Sequence, residues 1–120
     1  MGPRPRIPKP GDIFSIDPNP VAGREMKNRH YWVVVTPEAI NNLGVAIAVV
    51  ISTAAQGARA AGLTVPVRGD GITGVAVCTH VRSFDLRARI ADGSARFAGR
   101  INADVTAEIA ARVASLVDPA

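Results

Sequence analysis

The chain has 120 residues, 48% of them hydrophobic and only 4% aromatic, and it carries a net charge of +4 at pH 7. This length predicts a single domain, residues 1–120, whose core is built from aliphatic side chains. The one cysteine, Cys78, excludes an internal disulfide, and with two histidines it provides too few ligands for a structural zinc site. The longest apolar run, residues 43–51, is far shorter than the roughly 20 residues of a membrane helix, so we expect a cytoplasmic protein with no membrane partner.

Arginine supplies most of the positive charge. Lysine and arginine total 14 residues against 10 aspartates and glutamates, and only Lys9 and Lys27 are lysines. Because guanidinium groups bind phosphate and carboxylate through two parallel hydrogen bonds, this composition favours an anionic partner such as nucleic acid. The alternative is a solvated charged surface that keeps the protein in solution.

The first half of the chain predicts three strands after a proline-rich start. Residues 1–10 contain four prolines, and we expect them to form a flexible arm. Residues 11–17 alternate in polarity and predict a first strand, whereas residues 31–36 and 44–53 are apolar on both faces and predict strands near the middle of a sheet. The intervening "PEAINN" predicts a short helix that begins at its proline.

The second half predicts two further strands and a long surface segment. Residues 56–62 indicate an exposed loop, and residues 63–67 a fourth strand whose Pro66 favours the edge of a sheet. A glycine-rich turn then leads into a fifth strand, residues 75–81. The arginine-rich residues 82–100 are predicted to be a surface segment with one helical turn.

The C-terminal segment predicts an amphipathic helix. Asn102 is a favourable N-cap residue. Apolar residues then recur at helical spacing: Val105, Ile109, Val113, and Leu116 or Val117. The predicted fold class is therefore mainly β with α, in which a small barrel or sheet packs against this helix.

Three stretches, read as a series, resemble the PemK, Kid, ChpB and MazF toxins of bacterial toxin–antitoxin pairs. They are "GDIFSIDPNPVAGREMKNRHYWVVVTPEAIN", "VVISTAAQGARAAGLTVPV" and "TGVAVCTHVRSFDLRAR". The resemblance implies a small SH3-like barrel of five or more strands with a C-terminal helix, forming a homodimer. It also implies an endoribonuclease that acts without ribosomes, metal or another cofactor, cuts single-stranded RNA at short sequences, and is silenced by an antitoxin whose disordered tail covers the RNA groove.

Cleavage of RNA without a metal requires three chemical groups. A base removes the proton of a ribose 2′-hydroxyl, an acid protonates the leaving 5′-oxygen, and cations or amides stabilise the charged phosphorane between these steps. The products are a 2′,3′-cyclic phosphate and a 5′-hydroxyl. The need for a 2′-hydroxyl explains why RNA rather than DNA is cut.

The family's motifs place candidate residues around the second and third strands. Arg24 stands where some relatives have histidine, and Glu25 matches the family's glutamate. His30 stands where relatives keep a phosphate-handling arginine, so the neighbouring Arg29 is a candidate to replace it. The family's hydroxyl residue at the end of the third strand is present as Ser52 and Thr53.

The fifth strand departs from the family's pattern. Val77, Thr79 and His80 stand where relatives carry an arginine, an acidic or amide residue and a glutamine. Since histidine titrates near neutral pH, His30 and His80 together could replace the missing acid and base, with Arg29 assisting. The alternative is that both histidines are partly buried and bonded to the backbone.

Further residues are candidates to bind RNA phosphates. The full set is Arg24, Glu25, Ser52, Thr53, Arg59, Thr79 and Arg82, each weighed against an ordinary solvated surface role. Strand alternation predicts two opposite faces: Val75, Val77, Thr79 and Val81 on one, and Cys78, His80 and Arg82 on the other. Thr79 and His80 should therefore not point into the same groove, and Arg82 could instead lie at the surface or at a dimer interface. Tyr31 and Trp32 are candidates to stack on a base, but alternation predicts that at least one belongs to the core.

Two other functions stay open at this stage. The replaced residues are compatible with a family member that binds antitoxin or RNA but has weak or lost cleavage. The CcdB toxins resemble this fold and poison gyrase by protein binding, which gives a second alternative.

Overall fold

The computed structural model describes residues 7–118. These residues form six strands and four helices: β1 Asp12–Ile16, β2 His30–Val34, α1 Glu38–Asn41, β3 Ala46–Ser52, α2 Gln56–Ala60, β4 Thr64–Gly69, β5 Ile72–Phe84, α3 Leu86–Asp92, β6 Ala95–Arg100 and α4 Ala103–Val117.

The strands make one antiparallel sheet in the order β4-β5-β3-β2-β1-β6. The sheet curls into a half-barrel, and α4 packs against β4 and β5. This architecture confirms the predicted mainly-β fold with a C-terminal helix. It also confirms that the two strands apolar on both faces, β2 and β3, lie inside the sheet and that Pro66 lies on an edge strand.

The sheet buries a cluster of apolar side chains on each face. The first cluster contains Trp32 and Phe84, whose rings meet edge to face with centroids 5.0 Å apart. The second includes Ile109 of α4, so the amphipathic helix covers that face. Because each face is covered, a strand that is apolar on both sides is stable only in the middle of this sheet.

Two segments differ from the sequence-based expectations. The exposed loop predicted for residues 56–62 contains the short helix α2. No side chain caps its N-terminus, so the sequence carries no helix-start signal there. The predicted surface segment 82–100 contains α3 and also a sixth strand, β6, which forms an edge of the sheet.

The predicted alternation along β5 is wrong in its second half. Val49 pairs with Val81 and Ile51 pairs with Ala76, so two steps along β3 correspond to five along β5. The odd number of extra residues reverses the faces. Val81 therefore packs on the second cluster with Cys78, whereas Val77 belongs to the first.

The two edges of the sheet meet through a buried carboxylate and a turn. Asp12 in β1 is fully buried, and its Oδ1 lies 2.9 Å from Nε of Arg100, the last residue of the edge strand β6. The backbone N–H of Arg100 donates to Oδ2 of Asp70 at 2.8 Å. Asp70 follows the other edge strand, β4, in a two-residue hairpin turn with Gly71 at positive φ. These contacts close the half-barrel at one end.

The described part of the predicted N-terminal arm contacts the fold. The carbonyl oxygen of Pro8 accepts a hydrogen bond of 2.8 Å from Nδ2 of Asn41, and the backbone N–H of Lys9 donates to Oδ2 of Asp12 at 2.9 Å. Residues 1–6 lie outside the described residues. Between residues 7 and 118, no helix has both the length and the apolar character needed to cross a membrane.

We predict that Gly69→Ala destabilises the protein by about 1–3 kcal/mol, because a Cβ at this position would collide with the carbonyl oxygen of Arg100. The measurement is urea unfolding followed by circular dichroism. Gly57→Ala is the matched control, since a Cβ there meets open space within α2 and should stabilise by about 0.5–1 kcal/mol. Equal changes in unfolding free energy for the two variants would contradict the close approach of Gly69 to the Arg100 carbonyl.

A second prediction concerns pH. Burial raises the pKa of the Cys78 thiol above its ordinary value of 9.0, while Arg112 opposes and Glu108 reinforces this shift more weakly. The unfolded thiol then ionises first as pH rises, so the stabilising contribution is complete below about pH 9 and is lost as pH rises through the folded pKa. We expect unfolding free energy to fall more steeply above pH 9 for the wild type than for Cys78→Ala. Parallel pH profiles of the two proteins would refute this expectation.

Candidate functional site

A groove of about 580 Å³ opens where β1, β2 and β3 meet, at the end of the sheet that carries His30 and Ser52. Six of the residues that line it are polar: Ser15, Arg29, His30, Ser52, Thr53 and Thr73. Its remaining wall is largely apolar and includes Tyr31, Ile51 and Ile72. The groove thus joins a region suited to phosphate with a region suited to an aromatic base.

Arg29 is held at the entrance of this groove. Its Nη1 donates to the carbonyl oxygen of Ser15 at 3.0 Å and to the Ser15 hydroxyl at 3.2 Å, and its Nη2 donates to the carbonyl oxygen of Gly93 at 3.3 Å. A guanidinium has five N–H groups, so these three contacts leave donors for a phosphate. The site therefore has a cation that is positioned before a ligand binds.

His30 and the two hydroxyl residues complete the polar region. His30 opens β2, pairs with Ile16 of β1 and is half-buried. Ser52 ends β3, and its Oγ accepts a hydrogen bond of 3.2 Å from the backbone N–H of Ala54. The Ser52 hydroxyl keeps its proton for another acceptor. The predicted candidates Arg29, His30, Ser52 and Thr53 are therefore brought together.

Of the two adjacent aromatic residues, one is buried and the other is exposed, as strand alternation requires. Trp32 is 1% exposed and belongs to the first core cluster, whereas Tyr31 is 42% exposed and lines the groove. This outcome confirms that one of the two is a core residue. Ser15, which bonds Arg29, is a site residue that the sequence analysis did not identify.

The connection between β1 and β2 carries Arg24 and Glu25 at the surface. The side chains of Asn19 and Asn28 close its base, since Oδ1 of Asn19 accepts from the Asn28 backbone N–H at 3.2 Å. Within this loop, the Glu25 carboxylate accepts a hydrogen bond of 2.6 Å from the backbone N–H of Ala22. Glu25 therefore stabilises a turn, and Arg24 is exposed beside it.

The residues predicted on β5 lie away from the groove lining. Thr79 is exposed and His80 is half-buried, and neither is among the residues that line the groove. Within residues 7–118, the Nδ1 atom of His80 is buried without a hydrogen-bond partner, as is Nε1 of Trp32. The groove thus places His30 with Arg29 and two hydroxyls, and its pairing with His80 stays a prediction.

Arg82 has a clear structural contact. Its guanidinium lies 5.1 Å from the centroid of the Phe84 ring, and its Nη1 donates to the carbonyl oxygen of Pro18 at 3.0 Å. Arg89 lies 5.0 Å from the same ring and donates to the carbonyl oxygen of Asp17 at 2.9 Å. The two arginines tie the start of the β1–β2 connection to Phe84.

Arg59 lies in the last turn of α2 and is exposed. Thr53 lines the groove and α2 begins three residues after it, so Arg59 is close in sequence to a groove residue. In the part of the chain that the structure describes, no three or more His, Cys, Asp or Glu side chains cluster in a way that could hold a metal ion.

Comparison with known proteins gives consistent results. The family model of PemK-like, MazF-like toxins of type II toxin–antitoxin systems matches residues 9–117. Endoribonuclease PemK from Escherichia coli is 34% identical over 82 residues, which cover 66% of this chain and 62% of PemK. Endoribonuclease toxin ChpB from Escherichia coli strain K12 is 34% identical over 85 residues, which cover 68% of this chain and 72% of ChpB. The match therefore spans less than two thirds of the length of PemK.

Solved structures extend the similarity over nearly the whole chain. MazF from Deinococcus radiodurans (Form-I) superposes with a TM-score of 0.79 and 29% identity, covering 94% of this chain and 98% of that one. The crystal structure of MazE-MazF (Form-II) from the same organism contains a chain with a TM-score of 0.74 and 28% identity, covering 97% of this chain and 100% of that one.

The contacts of Arg82 generate a stability prediction. Arg82→Met should destabilise the protein by about 1–3 kcal/mol, because it removes a charged hydrogen bond to Pro18 and the cation on the Phe84 ring. Arg24→Met is the matched control, since it removes the same charge from an exposed loop position and should change stability by less than about 0.5 kcal/mol. Urea unfolding of both variants is the measurement, and an unchanged stability of Arg82→Met would contradict the structural role of Arg82.

Proposed function

Because the chain belongs to the PemK-like, MazF-like family of toxins of type II toxin–antitoxin systems, we propose that it is an endoribonuclease that cuts single-stranded RNA in the groove beside His30. The observation that carries this proposal is the convergence of Arg29, His30, Ser52 and Thr53 in that groove. The names of the similar proteins PemK and ChpB, both endoribonucleases, support the same activity.

The proposed reaction uses these residues in separate roles. His30 exchanges the proton, as the base for the attacking 2′-hydroxyl or the acid for the leaving 5′-oxygen. Arg29 and the hydroxyls of Ser52 and Thr53 donate to the phosphate oxygens as negative charge develops. The expected products carry a 2′,3′-cyclic phosphate and a 5′-hydroxyl. His80 is proposed as the second proton carrier, and Arg24, Arg59 and Thr79 as contacts along the RNA backbone.

The proposal includes partners of the toxin. The MazE-MazF crystal structures contain a chain similar to this one, which supports an antitoxin as its partner. We propose that the disordered tail of this antitoxin covers the groove, that the chain acts as a homodimer, and that it acts in the cytoplasm.

A second candidate is a family member with weak or lost cleavage that still binds antitoxin or RNA. It is favoured by one observation on β5. Val77, which stands where some relatives carry arginine, is 1% exposed and packs in the first core cluster. An apolar residue there cannot supply a charge to the phosphate, so other residues must compensate if cleavage is retained.

We predict that His30→Ala lowers the rate of RNA cleavage about 10²- to 10⁴-fold, the usual contribution of a general acid or base. The assay incubates purified protein with mixed-sequence single-stranded RNA in EDTA and maps the cut ends. His80→Ala is the companion variant: an equal loss supports the histidine pair, and retained cleavage restricts the proton-transfer role to His30. Cleavage that persists in both variants would refute the histidine mechanism.

The same assay tests the cation. Arg29→Gln should reduce cleavage strongly, whereas Arg87→Gln, which removes an exposed arginine of α3 outside the groove, should leave it unchanged. If the wild type cuts no RNA but binds its antitoxin tightly, the second candidate function is correct. Thermal unfolding of each variant separates loss of activity from loss of fold.

A further inference from the structure

Tyr31, the sole tyrosine, is exposed on a strand whose other residues are buried or half-buried. Tyr31 lies in β2 between half-buried His30 and buried Trp32, yet its side chain is 42% exposed. Every other residue of β2 is at least half-buried. A large aromatic side chain left open beside a polar site provides a flat surface for a ligand.

Strand register places the tyrosine on the floor of the groove. Tyr31 pairs with Ser15 on one side and with Ile51 on the other, and both of these residues also line the groove. Ile72 adds a second apolar contact surface to the same wall. A tyrosine side chain has only two rotatable χ angles, so little side-chain entropy is lost when its ring binds a ligand.

The tyrosine is also in register with the positioned cation. Ser15, the strand partner of Tyr31, is the residue whose carbonyl and hydroxyl oxygens hold the Arg29 guanidinium. Arg29 comes directly before β2, and Tyr31 is the second residue of that strand. Because Ser15 binds Arg29 and pairs with Tyr31, one nucleotide can place its phosphate at Arg29 and its base at Tyr31.

We propose that Tyr31 is a substrate-binding residue on which a nucleobase of the single-stranded RNA stacks, next to the phosphate bound by Arg29. This inference rests on the proposed function and assigns the base subsite of the same groove. Stacking on an aromatic ring is tolerant of base identity, so Tyr31 strengthens binding of many sequences rather than selecting one. The hydroxyl and backbone groups around Thr73 are then left to read the base edge.

The test is a binding measurement with RNA that cannot be cleaved. The probe is a fluorescein-labelled, random-sequence, single-stranded oligonucleotide of 2′-O-methyl RNA, which lacks the attacking hydroxyl, and the readout is fluorescence anisotropy. We expect Tyr31→Ala to weaken binding about tenfold, within the range measured for loss of one stacked base, and Tyr31→Phe to bind as the wild type does. Leu43→Ala is the control, because it truncates an 83% exposed apolar side chain outside the groove and should have no effect.

A spectroscopic readout separates stacking from a merely structural role. Tyr31→Trp adds an exposed indole to the one buried at Trp32, and its fluorescence should be quenched when the 2′-O-methyl RNA binds. An oligonucleotide of the same length with abasic positions should bind less tightly to the wild type, and its affinity should no longer distinguish Tyr31→Ala from the wild type. Quenching that is equal with intact and abasic RNA would overturn the proposal.

The outcomes also distinguish this proposal from the one on which it rests. If the wild type neither binds the 2′-O-methyl probe nor cuts RNA, the proposed function fails and the base subsite fails with it. If the wild type binds and cuts RNA while Tyr31→Ala does both equally well, the ribonuclease function stands and the stacking role of Tyr31 is wrong.

Discussion

The buried carboxylate of Asp12 is the constraint on which the shape of the molecule depends. A buried ionised carboxylate is stable only when hydrogen bonds and nearby cations replace its lost hydration. Asp12 accepts from Nε of Arg100 and from the backbone N–H of Lys9. Arg100 ends the edge strand β6, and its backbone N–H donates to Asp70, which follows the opposite edge strand. Arg100 therefore connects the buried carboxylate of β1 with the turn that follows the opposite edge strand.

The same strand connects this closure to the groove. β1 is only five residues long, from Asp12 to Ile16, and Ser15 near its far end holds Arg29. β1 and the C-cap residue of α3 thus hold this cation together, through Ser15 and Gly93. The β1–β2 connection is fixed independently, since Arg82 and Arg89, which both lie near the Phe84 ring, donate to its first carbonyl groups.

Sequence patterns predicted the features that repeat along the chain and missed those that depend on distant pairing. Apolar runs identified β2 and β3, and helical spacing after Asn102 identified α4. The strand β6 was missed because its residues ARFAGR show no clear alternation and only two of the six are buried. The face reversal within β5 arises from its pairing with β3, and the role of Ser15 arises from its register with β2 across a long connection. Neither is encoded in local composition.

The arginine content suggested more positive charge available to an anionic partner than the structure provides, and this difference bears on the site. The abundance of arginine favoured an anionic partner, yet several guanidinium groups donate to main-chain carbonyls: Arg29, Arg82, Arg89 and Arg112. Arg100 is paired with Asp12. Among the groove-lining residues within 7–118, Arg29 carries the only permanent positive charge. The attraction of this groove for an anion therefore rests on one guanidinium that the fold holds in place, rather than on the arginine content of the chain.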